Sequence, residues 1–190
     1  GDFDADGIWD LAVYHEATGE WFVRGADGTV LAYGLAWGGP GFRPLTGDAD
    51  GDGAYDLILN YYLGAPYWVY WYGYSLARNE ALFWEKPWGH VGWIPVEGDY
   101  DGDGLGDLGV YNPETGDWHV ADWAYTHAIV WYVPFGGPGY TPVPGDYDGD
   151  RIWDLAVYEQ ATGLWYVRTV SGTVLLWASP LGGPGFAPLR

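Results

Sequence analysis

The sequence predicts an all-β protein built as an array of four similar units. Three observations predict it. An acidic string recurs four times at nearly constant spacing, short apolar runs are interrupted by Gly or Pro about every ten residues, and no segment sustains a 3.6-residue apolar period. The string Gly-Asp-x-Asp-x-Asp begins at Gly1, Gly47, Gly98 and Gly145, which divides the 190 residues into units 1–46, 47–97, 98–144 and 145–190. Nothing is left for a linker or a second domain, so the whole chain reads as a single repeat domain. Units one and four align without a gap and agree at 28 of 46 positions. Unit three keeps the same landmarks, whereas unit two diverges after Leu57 into a longer, very aromatic body.

Each unit reads as four short strands. In unit one, Asp10 to His15 is a β-branched and aromatic run, Ala17-Thr18-Gly19-Glu20 a turn, and Trp21 to Arg24 a second strand. Ala26-Asp27-Gly28 is a hairpin signal before a third strand, Thr29 to Tyr33. Gly38-Gly39-Pro40-Gly41 then breaks the chain, and Phe42 to Thr46 leads as a fourth strand into the next acidic loop. Four strands per repeat of this length is the arithmetic of a β-propeller-like array of four four-stranded blades, each opened by an acidic loop. An open β-solenoid and a two-sheet sandwich are the alternative architectures.

Composition narrows the function. The formal net charge is −19, from 26 acidic and 7 basic side chains, which argues against nucleic acid as a partner. Hydrophobic residues make up 48% of the chain, too many for a disordered acidic tail. No apolar run approaches the roughly 18 residues of a membrane-spanning helix, so no transmembrane segment is expected. There is no Cys, so neither disulfides nor thiolate sites staple the fold.

The full motif is Asp-x-Asp-x-Asp-Gly-x-x-Asp. Its acidic sets are Asp2, Asp4, Asp6, Asp10; Asp48, Asp50, Asp52, Asp56; Asp99, Asp101, Asp103, Asp107; and Asp146, Asp148, Asp150, Asp154. Four carboxylates within nine residues repel one another unless a cation sits among them. Calcium takes about six to eight hard oxygen ligands, and alternate side chains of a tight loop converge to supply them. The seventh loop position adds a backbone carbonyl, from Ile8, Ala54, Leu105 and Ile152. About four Ca²⁺ per chain are therefore expected. Gly7, Gly53 and Gly104 provide the sharp turn, and Arg151 replaces that glycine in the fourth copy. An EF-hand is excluded, because the twelfth positions are Val13, Leu59, Val110 and Val157 rather than Glu. The bland reading of one such loop is a solvated acidic turn without an ion; four in register favour calcium.

Asp-x-Asp-x-Asp-Gly-x-x-Asp-Leu followed by a short apolar strand resembles the calcium-binding blades of the FG-GAP/VCBS repeat families, which include integrin α-subunit propellers and some surface lectins. The resemblance covers all four units and is most specific over Gly98 to Val110 and Gly145 to Val157. It implies an extracellular or cell-surface protein in which calcium stabilises blades, with roles in cell adhesion. Four units are fewer than the seven blades of familiar members, so the resemblance implies either a small ring or one completed by another chain.

Repeated aromatics read as packing anchors. Trp21, Trp118 and Trp165 lie eleven residues after the last loop Asp, Tyr67 takes that place in unit two, and Trp9 and Trp153 also correspond. Unit two adds Tyr61, Tyr62, Tyr70, Trp71, Tyr72, Tyr74, Trp84, Trp88 and Trp93, many without counterparts. These serve either as a binding surface, whose flat rings suit sugars, or as extra packing. His15, His90, His119 and His127 occupy unrelated unit positions, and three Ser and no Cys leave few nucleophiles. The sequence thus points to a non-enzymatic, calcium-stabilised repeat protein with a structural or adhesive role through protein or self-association. A calcium-dependent carbohydrate-binding lectin is the alternative.

Overall fold

The computed structural model describes residues 1–62 and 67–189. Its secondary structure is all β: fifteen strands in four antiparallel sheets, each formed by chain neighbours. The first sheet has three strands, β1 (Leu11–His15), β2 (Glu20–Arg24) and β3 (Val30–Ala36), in the order β1-β2-β3. The second contains β4 (Arg43–Gly47), β5 (Asp56–Tyr62), β6 (Trp68–Ser75) and β7 (Glu80–His90). The third contains β8 (Ile94–Pro95), β9 (Leu108–Tyr111), β10 (Asp117–Ala121) and β11 (Ala128–Pro134). The fourth contains β12 (Tyr140–Pro142), β13 (Leu155–Glu159), β14 (Leu164–Arg168) and β15 (Val174–Pro180).

The sheets are out of step with the sequence units. The strand that ends one unit belongs to the sheet of the next: β4 pairs with β5, with Leu45 opposite Ile58 and Gly47 opposite Asp56. The acidic loop is therefore the connection of a hairpin, and the two segments it joins pair because the loop returns the chain beside itself. The same offset leaves the first sheet with three strands instead of the four expected.

Two compact units emerge, Gly1–Val91 and Gly92–Arg190, each holding two sheets. Phe3, Trp21, Val23, Leu57, Leu59 and Tyr72 form the core of one. Tyr100, Tyr111, Trp118, Val120, Leu155 and Val157 form the core of the other. β5, β9 and β13 are buried along most of their length, as strands sandwiched by side chains on both faces should be.

Of the repeated tryptophans, Trp21, Trp118 and Trp165 act as expected, whereas Trp9, expected as an anchor like Trp153, is exposed. The indole N–H groups of Trp21, Trp118 and Trp165 donate to the carbonyls of Trp37, Phe135 and Leu181, each at 2.9 Å. In the second sheet Trp71 makes this bond, to the Trp88 carbonyl, and is fully buried, whereas Tyr67 lies exposed. The sequence alignment misplaces the anchor by four residues because unit two lengthens its hairpin before Trp68; residues 63–66 lie outside the described residues. Most of the extra aromatics of unit two are buried or half-buried, with Trp84 and Tyr62 exposed.

The Gly-Gly-Pro-Gly segment is a lock. The Tyr14 hydroxyl donates to the Gly39 carbonyl at 3.0 Å and accepts from the N–H of the same residue at 2.9 Å. Tyr111 does this with Gly137 and Tyr158 with Gly183. The turn glycine Gly19 packs so closely on Gly38 and Gly39 that a Cβ there would fall 2.4 Å from backbone, and its φ is +76°. Only glycine meets both demands. Replacing Tyr111 or Tyr158 by Phe should cost roughly 1–3 kcal/mol, because a buried N–H and carbonyl lose their partner. The exposed Tyr33 changed to Phe should cost little, and chemical denaturation of the three variants measures the difference.

Candidate metal sites

Each acidic loop is wound around its own carboxylates. The first Asp of the motif holds the loop closed: Asp2, Asp48, Asp99 and Asp146 accept, through Oδ2, the N–H of Gly7, Gly53, Gly104 and Arg151 at 2.8–3.0 Å. The third-position Asp of the motif accepts the N–H two residues on, as Asp101 does from Asp103 at 3.1 Å. The fifth does likewise: Asp6, Asp52, Asp103 and Asp150 accept from Ile8, Ala54, Leu105 and Ile152 at 2.7–2.9 Å. These are Asx turns, which a short chain of alternating Asp residues forms readily.

The last Asp ties loop to sheet. Asp10, Asp56, Asp107 and Asp154 are buried, and their Oδ2 atoms accept the N–H of Phe3, Ala49, Tyr100 and Tyr147 at 2.7–2.9 Å. Asp107 and Asp154 also donate their own N–H to the carbonyls of Gly98 and Gly145, which closes the base of the loop.

Gly7, Gly53 and Gly104 take φ near +85° to +89°, as the sharp turn requires, and Arg151 is held there at +73°. Arg151 uses its N–H as the glycines do, so the fourth loop keeps the shape of the others. A second left-handed position, at Ala5, Gly51, Gly102 and Gly149, escapes the sequence reading. Its partial signal is the glycine that three of the four loops carry.

One carboxylate oxygen from each of three Asp residues converges within 4.8 Å in every loop. In the second, third and fourth loops the three are Asp48, Asp50, Asp56; Asp99, Asp101, Asp107; and Asp146, Asp148, Asp154. In the first they are Asp2, Asp4 and Asp6. The donors are hard oxygens, the class suited to calcium or magnesium. Asp56 tests the fit. Its Oδ1 is buried at the loop without a hydrogen bond of ordinary geometry, although the Ser75 hydroxyl lies close enough to favour the charged form, and a cation would complete its partners. Four acidic triads able to hold metal ions are thus present.

Two basic side chains border these clusters, and neither follows from motif spacing. Arg78, in the β6–β7 turn, lies 3.2 Å from Asp50 Oδ2 and 3.7 Å from Asp52 Oδ2. His127 Nε2 lies 3.2 Å from Asp101 Oδ2, with the His127 N–H donating to Asp122. His15, His90 and His119 belong to strands β1, β7 and β10.

Burial pushes the Asp56 carboxyl up to about 7 and the Asp107 carboxyl up to about 8, and neighbouring aspartates add to the rise. Asp154 is raised for the same reasons. In the metal-free fold these groups therefore hold protons at pH values where the unfolded chain, titrating near 3.8, has lost them. Stability without metal rises as pH falls from about 8 toward the ordinary carboxylate range. Thermal unfolding in excess chelator should give a higher Tm at mildly acidic than at mildly alkaline pH; the reverse order contradicts the burial of these carboxylates.

No family model matches the chain, and neither curated proteins nor solved structures provide a significant match. The site defines an all-β protein of four small antiparallel sheets with repeated acidic groups of the Asp-x-Asp-x-Asp kind.

Proposed function

We propose that this is an extracellular, calcium-stabilised repeat protein of the FG-GAP/VCBS type, with propeller-like blades and a structural or adhesive role. The observation that carries the reading is the convergence of three carboxylate oxygens at the corresponding loop of all four repeats. Asp side chains of each loop would hold the ion, with the carbonyls of Ile8, Ala54, Leu105 and Ile152 as further oxygen donors. The ion would supply charge compensation and cross-link the loop to the strand that follows it. No step of chemistry is assigned to it, and the role proposed is non-catalytic.

Calorimetric titration should find about four Ca²⁺ per chain, with affinities around 10⁻⁴–10⁻³ M if the loops behave as extracellular modules do. Fewer than two sites would reject the reading. Asp107→Asn gives a sharper check because its effect changes sign. In chelator it removes a carboxyl that the fold can keep only by burying its charge or by taking up a proton, while retaining an acceptor for the Tyr100 N–H, so Tm should rise above about pH 5; in saturating calcium it removes an oxygen ligand, so Tm should fall and one site should weaken. A shift of the same sign in both conditions would exclude Asp107 as a ligand.

A carbohydrate-binding reading has one observation in its favour. Tyr33, Trp84, Trp131 and Trp177 occupy the same repeat position, all are exposed, and each meets a neighbouring ring nearly edge-on. Exposed rings of this kind suit stacking on sugar faces. Glycan-array binding by the parent chain that is lost in Trp84→Ala and Trp177→Ala would favour it over the adhesive reading.

A further inference from the structure

Each compact unit contains one joint between consecutive sheets, and the two joints are built alike. On the strand side, the residues after Gly-Gly-Pro-Gly lie beside the next sheet: Pro44 is opposite Leu59 and Leu45 opposite Ile58, while Pro142 is opposite Val157. On the loop side, the Tyr55 N–H donates to the Asp2 carbonyl at 2.6 Å, and its ring meets Phe3 edge-on and covers Gly1. Trp153 repeats this on Asp99, Tyr100 and Gly98, again with a 2.6 Å bond. A Cβ on Gly1 or Gly98 would fall 2.2 Å from that ring.

The first and fourth repeats each present half of such a joint to solvent. Among the described residues no strand pairs with the outer edge of β1. Leu11 there is 70% exposed, whereas its counterpart Leu155 is 0%. Trp9, the counterpart of Tyr55 and Trp153, is 73% exposed. The fourth repeat carries the complementary half. Phe186 and Leu189, the counterparts of Phe42 and Leu45, are exposed and lie outside any strand. Tyr147 is 41% exposed where its counterpart Tyr100 is 1%, and among the described residues no ring covers Gly145 other than Tyr147 itself.

We infer that these halves meet between two copies of the chain, head to tail. Phe186–Leu189 of one molecule forms the missing edge strand of the next molecule's first sheet, and Trp9 of that next molecule seats on Tyr147 of the first. The register follows from the internal joints: Ala187 opposite Tyr14, Pro188 opposite Val13, Leu189 opposite Ala12. Proline is tolerated there because the added strand is an edge, as at Pro44 and Pro142. The occupant is a second copy because the exposed groups are of the kinds that meet at the internal joints: Phe186 and Leu189 match Phe42 and Leu45, and Leu11 and Trp9 match Leu155 and Trp153. An open edge flanked by exposed apolar side chains is a template for such pairing, and the contact is heterologous. The inference deepens the adhesive reading, and rests on it for the meaning of the contact but not for its geometry.

Sedimentation velocity in saturating calcium tests it, from roughly 1 to 100 µM chain, where a reversible contact responds to concentration. The average mass should climb from 21.0 kDa to multiples of it. Leu11→Asp with Val13→Asp spoils the head, and Phe186→Asp with Leu189→Asp spoils the tail; all four side chains are exposed, so the fold should survive. Each double variant alone should remain monomeric, and an equimolar mixture should stop at a dimer, since one intact head and one intact tail remain. A parent chain that stays at 21.0 kDa throughout overturns the proposal, as would a ring closed within one chain. So does assembly that both double variants retain. A chain that binds calcium yet stays monomeric refutes the joint alone, and a chain that assembles without taking up calcium refutes the metal reading alone.

Discussion

The structure depends on a carboxylate buried at the base of each acidic loop. Asp56, Asp107 and Asp154 sit where a strand begins, and their side chains hold the N–H of the second residue of the loop. That bond fixes where the loop starts and where it ends, so it also fixes which residues of the two flanking segments face each other. It comes at the cost of burying charge among like charges, which drives the Asp56 and Asp107 carboxyls far above their ordinary range. A divalent cation held by the triad would resolve that conflict without disturbing the hydrogen bonds, because a carboxylate oxygen that accepts one N–H still has a lone pair to offer.

With the loops fixed, the remaining devices follow in series. In the first, third and fourth repeats the chain leaves the loop on a short strand, buried in the last two, turns at a Thr-Gly corner, returns on a strand whose Trp is hydrogen-bonded by its indole, and crosses back to the Gly-Gly-Pro-Gly lock. The Tyr hydroxyl of the first of these strands then grips the lock itself. Each device uses backbone polar groups that would otherwise be buried without partners, which is why the pattern of Tyr, Trp and Gly is copied so closely between repeats.

Much of this was legible because repetition separates structure from accident. The strands, the acidic loops and three of the four Trp anchors follow from positions that recur. What escaped was set by local geometry that side-chain identity does not reveal. The outer strand of every sheet bears a bulge residue with positive φ, namely Gly34, Glu85, Tyr132 and Ala178, and only one is glycine. Tyr67 occupies the aligned anchor position of unit two, yet Trp71 is the residue that packs, because a longer hairpin moves the register. Arg78 and His127 reach the loops across space from other hairpins, and nothing in their spacing announces it. The sheet boundary was shifted for a similar reason: the acidic string is the most conspicuous landmark, but it lies in the middle of a hairpin.

That offset has a consequence for how such a chain can vary in length. A segment running from one acidic loop to the next contributes three strands to one sheet and the edge strand of the following one. Removing or inserting one such segment brings a lead-in like Phe42–Leu45 before a loop like that at Gly145, and the residues that meet are of the kinds that already meet elsewhere in the chain. Copy number can therefore change without producing an unfamiliar contact wherever the boundary is of the kind found inside each compact unit, with an aromatic residue at the position of Tyr55 and Trp153. Selection can then act on reach or valency while the local chemistry of each sheet stays fixed.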